Sequence, residues 1–230
     1  NHFTMNVPQG DTDTAIIAES SETKIHNNTF DISGGAIAIF INNNGSTTIT
    51  NNTITNTDPI AVEQSVGIFA KSGEGTVEGN TIQGAYYAYY SSSQISLFEN
   101  NTISQAYHAV YSSGSERLVN NTITDCSGNG IIADGLQGPV QGNIIRDNEG
   151  TGIHVYSPLD LGGGSENCEG LNTIQNNGNY DMIVDYQPAS AATFFAMNNM
   201  WDHGSQQEIL SQDIMSLAGS NLTINIDGFI

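Results

Sequence analysis

Basic side chains are scarce in this sequence. Four Lys or Arg residues face 24 Asp or Glu residues, and the formal net charge at pH 7 is −20. Because a surface this acidic repels phosphate groups, the sequence predicts no nucleic-acid partner. Anionic membranes and polyuronic acids are disfavoured for the same reason, unless Ca²⁺ bridges the charges. Solubility, for instance in a saline habitat, is an alternative explanation of the acidity.

Long apolar runs are also missing. The sequence has no stretch of about 18 apolar residues, so it predicts no insertion into a membrane. The chain starts at Asn1 without the apolar core of a signal peptide, and we therefore expect a mature form or an excised domain.

Cysteine is rare, since Cys126 and Cys168 are the only two. Two cysteines are too few for a disulfide framework. Their distances from the neighbouring repeats differ, so we expect them at different corners of the fold, as free thiols. A bridge through the flexible loop at Gly162–Gly164 is the alternative.

The sequence does contain a recurring Asn-Thr-Ile segment. Its asparagines are 20 to 29 residues apart and comprise Asn28, Asn52, Asn80, Asn101, Asn121, Asn143, Asn172, Asn199 and Asn221. A period in the low twenties is typical of a solenoid, in which one repeat forms one coil. Asparagine tolerates left-handed backbone geometry, and stacked side-chain amides can hydrogen-bond from coil to coil. We therefore interpret these asparagines as structural.

A second pattern lies between the asparagines and consists of a small residue, an apolar residue, any residue and another apolar residue. Examples are Gly67–Ala70, Tyr87–Tyr90, His108–Tyr111, Gly130–Ala133 and Gly152–Val155. Such alternation indicates short strands. With the Asn-Thr-Ile strand and one further strand, each coil has three. The sequence therefore predicts an all-β fold, a single-stranded right-handed parallel β-helix of eight or nine coils.

The ends of the chain differ from its middle. We expect coils over 15–201 and an N-terminal cap, or a continuation of the coils, over 1–14. The C-terminal cap would cover 202–230. Within it, Ser205 and Glu208 form a capping box that predicts a helix over 205–218, and a last strand is expected over 221–227.

The coils resemble the parallel β-helix repeats of the pectin-lyase-like superfamily over about residues 15–201. Ser157–Gly164, Gly170–Ile174, Tyr180–Met182 and Ala196–Trp201 resemble, in that order, bacterial extracellular β-helix proteins with a domain of unknown function. Their usual ending places glycine after the tryptophan, where this chain has Asp202. The resemblance implies a secreted or cell-surface protein and assigns no catalysis.

The motifs of enzymes with this fold are incomplete. Asn56-Thr57-Asp58 looks like one element of a polygalacturonase-like hydrolase, but the other elements are missing. Arg117 and Arg146 are the only arginines, and neither follows an acidic cluster as in pectate-lyase-like sites. The epimerase motif Tyr-Gly-x-Asp-Pro-His is absent as well.

One outward face of the coils is nevertheless rich in aromatic residues. If Ile68, Ala88, Ala109 and Ile131 point inward, alternation turns their neighbours outward. The predicted ligand-binding residues on this face are Tyr87, Tyr89, His108, Asp134, His154 and Tyr156. Aromatic rings can stack on sugar faces, and carboxylates accept hydrogen bonds from sugar hydroxyls. Alternatively, aromatic residues simply favour strands and stack along them, which explains Tyr86, Tyr90, Tyr107 and Tyr111.

The sequence therefore supports two hypotheses on function. The first is a non-catalytic structural or glycan-binding module, with a polysaccharide or cell-surface glycan as partner. The second is a carbohydrate-active enzyme, a polysaccharide lyase or glycoside hydrolase, in which His154 and Tyr156 act as base and acid. No cofactor is required by either, although Asp11 and Asp13 could contribute ligands to Ca²⁺. The oligomeric state is left open.

Overall fold

The computed structural model describes residues 1–8, 11–20, 22–58, 65–92, 94–164, 167–219 and 221–230. Its strands run parallel and stack coil on coil into a β-solenoid. The predicted all-β solenoid is therefore confirmed.

The first sheet, which we call the asparagine sheet, holds eight strands among the described residues. The solenoid has about six turns, so the predicted count of eight or nine coils is slightly too high. Its strands are His2–Val7, Thr29–Gly34, Thr53–Asn56, Thr81–Gln83, Thr102–Ser104, Thr122–Thr124, Ile144–Arg146 and Thr173–Gln175. The first of them lies in the segment for which a cap or a continuation of the coils was expected, and it pairs with Thr29–Gly34 like any other coil.

The second sheet has thirteen strands, and two of its four early strands, Ala36–Thr50 and Val66–Glu78, are long enough to cover two sides of a coil. The four early strands are Asp13–Ala18, Glu22–His26, Ala36–Thr50 and Val66–Glu78. The sheet then divides into two arms. One arm, which we call the outer arm, contains Tyr87–Ser91, His108–Ser112, Ile131–Ala133, Ile153–Val155, Met182–Val184 and Ile214–Ser216. The other, the return arm, contains Gln94–Glu99, Arg117–Val119 and Val140–Gln141.

The core is a column of aliphatic side chains inside the coils. Isoleucines of the asparagine sheet such as Ile54, Ile82 and Ile103 repeat in register and are fully buried. Cys126 and Cys168 are also buried, and they are free thiols. Burial raises the pKa of each thiol to about 11, so both remain protonated near neutral pH.

The repeat asparagines form a continuous ladder at one corner. The side-chain oxygen of Asn121, for example, accepts hydrogen bonds from the backbone N–H and the side-chain amide of Asn101, at 2.9 and 3.1 Å. Its own amide donates to Phe98 O and to Asn143 Oδ1, each at 2.9 Å. The same arrangement links Asn28 through to Asn199. The predicted bonding between coils is confirmed.

The left-handed backbone lies one position earlier than the prediction placed it. Residues with positive φ precede the ladder asparagines, as at Asn51 (φ 55), Asn100 (φ 54) and Asn120 (φ 54). In each Asn-Asn pair, the first asparagine adopts the left-handed backbone conformation, and the second makes the hydrogen bonds of the ladder.

The predicted C-terminal helix over 205–218 is wrong in extent. Ser205 caps a helical segment as expected, accepting from the N–H of Glu208 at 3.3 Å. The segment comprises one turn, Gln206–Glu208, and a π-helical turn, Ile209–Asp213, and gives way to the strand Ile214–Ser216. Pairing of that strand with Met182–Val184 adds a rung to the outer arm, which overrides the helical pattern. The final strand, Leu222–Asn225, pairs with Ala192–Phe195 as a separate sheet.

Substitution of one ladder asparagine tests this account of stability. Asn121→Ala removes four hydrogen bonds and leaves buried donors unpaired, so we expect a loss in the free energy of unfolding of about 3 kcal/mol. The measurement is urea denaturation of this variant and of a control, Thr102→Ala, which changes an exposed residue in the preceding coil. Equal losses in the two variants would contradict a structural role for the ladder.

Candidate functional site

The outer arm presents a row of side chains that point away from the core, which we call the outer row. Strand register aligns its members, which are Phe40, Phe69, Tyr90, Tyr111, Ile132, His154, Ile183 and Met215. All are half-buried, because each is covered by its neighbours in the row and open on one side.

Aromatic rings make the row continuous over its first four coils. Phe40 and Phe69 have ring centroids 5.1 Å apart, as have Phe69 and Tyr90. Tyr90 and Tyr111 are 4.6 Å apart with ring planes at 6°, which is a parallel stack. Such pairs stabilise the strands and also leave ring edges and one face toward solvent.

A second, shorter row runs beside the first. Tyr87 and His108 are aligned in register, with ring centroids 5.5 Å apart and planes at 27°. Tyr87 also lies 5.3 Å from Tyr90 and 5.9 Å from Tyr111, edge to face. The two rows together form one aromatic surface, which we call the aromatic face.

Tyr89 does not belong to this face, and its predicted role as a contact residue is wrong. The side chain is fully buried inside the coil and stacks on Phe98 at 4.3 Å. Its hydroxyl lies beside the buried carboxyl group of Glu116, and burial raises the pKa of both groups. The strand register aligns Tyr89 with Ile68, whereas the sequence prediction aligned Ala88 with Ile68.

This slip by one residue also exchanges roles elsewhere. Val110 was expected to face outward as a neighbour of Ala109, but it is buried. Tyr90 and Tyr111, which were interpreted as structural, lie in the outer row. The spacing to the next ladder asparagine favours this alignment in three coils, but Val110, which the register aligns with them, precedes Asn121 by 11 residues. Ile68 and Ile131 each precede a ladder asparagine by 12 residues, and Tyr89 precedes Asn101 by the same 12.

Carboxylates border the aromatic face on its C-terminal side. The Tyr111 hydroxyl donates a hydrogen bond to Asp134 Oδ2 at 2.6 Å. Burial, that hydrogen bond and the negative charge of Asp134 all raise the pKa of Tyr111. Asp134 is exposed, so its remaining lone pairs are available to hydroxyl groups from solution.

His154 and Tyr156 form a close pair two coils further on. Their rings stack at 4.2 Å, and the Tyr156 hydroxyl lies 3.3 Å from His154 Nδ1. Tyr156 is 42% exposed, while His154 Nε2 is buried and has no hydrogen-bond partner among the described residues. Burial lowers the pKa of His154 against an opposing effect of Asp185, so the ring is neutral at pH 7. Burial and Asp185 raise the pKa of Tyr156.

His108 is held as a hydrogen-bond acceptor. Its Nδ1 atom accepts from the backbone N–H of Asn129 at 3.0 Å, and burial lowers its pKa to about 4. The ring is therefore uncharged over the ordinary pH range, and it contributes a flat surface to the face.

The two arginines lie away from His154 and Tyr156. Arg146 pairs with Asp147 at 3.5 Å and extends from the asparagine sheet. Arg117 lines a cavity of about 750 Å³ on the side of the return arm, together with Ser115 and Gln137. Neither guanidinium is among the described contacts of His154 or Tyr156, so a carboxylate substrate would lack a counter-charge there.

The candidate calcium ligands Asp11 and Asp13 are both exposed. The carboxylate of Asp13 accepts a hydrogen bond from the backbone of Thr14 at 2.8 Å. Within the described ranges, the acidic residues that come close enough together to share an ion lie at the other end of the stack. A Ca²⁺ site at Asp11 and Asp13 stays a prediction.

The fold and this face define a class of protein, a parallel β-solenoid with an aromatic outer surface. Residues 37–181 match the family model described as a right-handed β-helix region. The match covers well over half of the chain and includes the ladder from Asn52 to Asn172, about six turns. The chain therefore belongs to the right-handed β-helix family, and the predicted pectin-lyase-like architecture is confirmed.

Among solved structures, the A-module of mannuronan C-5 epimerase AlgE6 from Azotobacter vinelandii is similar to this chain. The similarity has a TM-score of 0.46 and 12% identity, covering 99% of this chain and 80% of that one. No curated protein sequence matches the chain. In the part of the chain that the structure describes, no helix has the length and apolar character needed to span a bilayer.

The depressed pKa of His108 leads to a prediction on stability. The unfolded state takes up a proton near pH 6.5 and the folded state only near pH 4, so stability falls as pH decreases between these values. Urea denaturation at several pH values should show a steeper loss for the wild type than for His108→Gln, which keeps an acceptor but does not titrate. Parallel curves would contradict the prediction, and an NMR titration of the ring would locate the pKa directly.

Proposed function

We propose that the chain is a secreted or cell-surface module that binds a neutral polysaccharide on its aromatic face without transforming it. The observation that carries the proposal is the continuous set of rings formed by Tyr87, Tyr90, His108 and Tyr111, bordered by Asp134. Rings supply apolar contact area for sugar faces, and the carboxylate and hydroxyl groups supply hydrogen bonds at its edge.

The electrostatics favour a neutral ligand over an anionic one. The chain carries a net charge of −20, and the acidic groups at the border of the aromatic face are Asp134 and Asp185. The exposed Lys71 follows Phe69 at the other end of the face. A polyuronate would be disfavoured near Asp134 and Asp185, because none of the described ion pairs joins a Lys or Arg to either carboxylate. Sugar hydroxyls, by contrast, donate readily to carboxylates.

Two described cavities lie apart from the aromatic face. Enzyme sites are usually clefts that surround the reacting group and exclude water. One cavity lies at Arg117 on the side of the return arm, and a second, of about 280 Å³, lies at Pro158 and Phe195. Neither is lined by residues of the aromatic face, which suits a polymer lying along an open surface.

A catalytic function is the second candidate, and one contact favours it. The 3.3 Å contact between the Tyr156 hydroxyl and a neutral His154 is the type of pair that moves a proton. In a β-elimination, the pair would remove a proton from the sugar ring and return one to the leaving oxygen. The buried Nε2 atom and the lack of a nearby cation argue against this use.

Binding can be tested on individual side chains. Affinity electrophoresis through gels containing cellulose derivatives, xylan, mannan or β-glucan should retard the wild type. Tyr111→Ala should weaken the affinity at least fivefold, roughly 1 kcal/mol, because it removes the central ring of the face. Tyr111→Phe keeps the ring but loses the bond to Asp134, and we expect an intermediate loss. Ile144→Ala, which removes a 40% exposed side chain from the asparagine sheet, is the control and should bind normally.

Incubation with these polysaccharides and with a polyuronate, whose carboxyl group β-elimination requires, discriminates between the two functions. Incubation with the wild type should leave ultraviolet absorbance and reducing ends unchanged if the module only binds. New absorbance that His154→Gln abolishes would replace the proposal with a lyase. Migration unaffected by any neutral polysaccharide would leave a purely structural solenoid.

A further inference from the structure

Three carboxylates converge at the C-terminal end of the stack, three rungs beyond Tyr111. They belong to Asp181, Asp202 and Asp213, and one oxygen of each lies within 4.8 Å of the others. Strand register explains two of the positions. Met182 pairs with Ile214 in the outer arm, so the residues before them, Asp181 and Asp213, occupy equivalent places one rung apart. Like charges placed opposite each other destabilise a sheet unless something compensates them.

Hydrogen bonds orient each carboxylate from outside the cluster. Asp181 Oδ1 accepts from the side chain of Asn177 at 2.9 Å, and Asp202 accepts from the backbone of Asn176 at 2.9 and 3.0 Å. Asp213 accepts from the backbone N–H of His203 at 3.1 Å and pairs with its ring. The donors fix the three groups in place, yet they leave the centre of the cluster without a positive charge.

The second oxygen of Asp181 is the most unusual atom of the cluster. Asp181 is only 2% exposed, and its Oδ2 atom has no hydrogen-bond partner within the described ranges. A buried carboxylate oxygen without a partner costs several kcal/mol, so proteins rarely leave one in this state. The negative charges of Asp202 and Asp213 add to the penalty.

The ring of His203 supplies at most part of the compensation. When protonated, it brings one positive charge against three negative ones, and it contacts Asp213 but is not a described hydrogen-bond partner of Asp181 Oδ2. It is also the only basic group in the described ion pairs of the cluster. Burial raises the pKa of Asp181 to about 7, so a proton compensates this oxygen at lower pH, whereas above neutral pH a bound cation would do so.

We propose that Asp181, Asp202 and Asp213 bind a Ca²⁺ ion between the last coil and the C-terminal cap. Calcium takes oxygen ligands at about 2.3–2.6 Å, so two ligands on opposite sides of the ion lie about 4.6–5.2 Å apart, a span that accommodates the observed limit. Magnesium needs shorter and more regular geometry, and zinc prefers nitrogen and sulfur ligands. Water completes the coordination on the side of the exposed Asp202.

The site would fasten the cap to the stack. Asp181 lies in the last full coil, while Asp213 ends the π-helical turn Ile209–Asp213 and immediately precedes the strand Ile214–Ser216. An ion shared between them neutralises the repulsion across this last pair of strands. Binding to the folded state alone therefore raises stability as the Ca²⁺ concentration rises.

The direct test is isothermal titration calorimetry on chelator-treated protein. The buffer contains about 0.15 M salt, which screens diffuse binding of Ca²⁺ to the acidic surface. We expect one Ca²⁺ site per chain and a higher Tm in its presence, with a smaller shift for Mg²⁺. Asp202→Asn changes an exposed residue and should still fold, but it should weaken Ca²⁺ at least tenfold. The double variant Asp11→Asn/Asp13→Asn is the matched control and should retain the site.

Hydrogen exchange supplies a readout specific to the location. Amides in Ile209–Ser216 should exchange more slowly in Ca²⁺ than in chelator for the wild type, and equally in both for Asp202→Asn. His203→Gln should keep Ca²⁺ affinity within about threefold if the ion is the compensating charge. Absence of Ca²⁺-dependent heat and protection in the wild type, or a site lost only in the Asp11/Asp13 variant, would overturn the proposal.

Discussion

Register between neighbouring coils is the constraint on which the rest of the structure depends. In a parallel stack, a shift by one residue moves every side chain to the opposite face, so each coil must be held at a defined position relative to the next. The asparagine ladder does this at one corner. Asn101, Asn121 and their counterparts use the side-chain oxygen to accept two hydrogen bonds and the amide to donate to the next rung and to the backbone. The anchor is polar, buried and directional, and apolar packing alone would not supply such a reference point.

This anchor explains why the fold could be predicted from the sequence and why one side of it could not. The asparagine sheet follows the ladder directly, so counting from the repeat asparagines locates its strands. The outer arm lies about a dozen residues before the next anchor, and there the prediction chose Ala88 and Ala109 as inward residues. Alternation of small and large residues fits two alignments in Tyr86–Tyr90, because tyrosine occupies most of its positions. Only packing inside the coil, where Tyr89 stacks on Phe98, selects one of them.

The candidate site was predictable to the extent that it depends on composition and local order. Tyr87, His108 and His154 are half-buried and Asp134 and Tyr156 are exposed, while their role in ligand binding stays a prediction. Tyr90 and Tyr111 were missed because their stacking was taken to be a structural role alone. The convergence of three aspartates at the cap lay beyond sequence reasoning, since Asp202 and Asp213 meet Asp181 only after a predicted helix becomes a strand. The capping box at Ser205 predicts where that helix starts. The helix ends early because the following residues pair with the free edge of the outer arm.

The nearest-neighbour character of the ladder has a consequence for how such a chain can change in length. Each ladder asparagine contacts only the coil before it and the coil after it, and equivalent strands repeat with the same register. Removal or duplication of one complete coil would rejoin an asparagine to an asparagine and leave every other junction untouched. Gene rearrangements that insert or delete whole coils would therefore preserve the fold, while those that insert or delete part of a coil would break the ladder. The aromatic face would then lengthen or shorten in whole rungs, so the extent of polymer that it can contact is counted in coils.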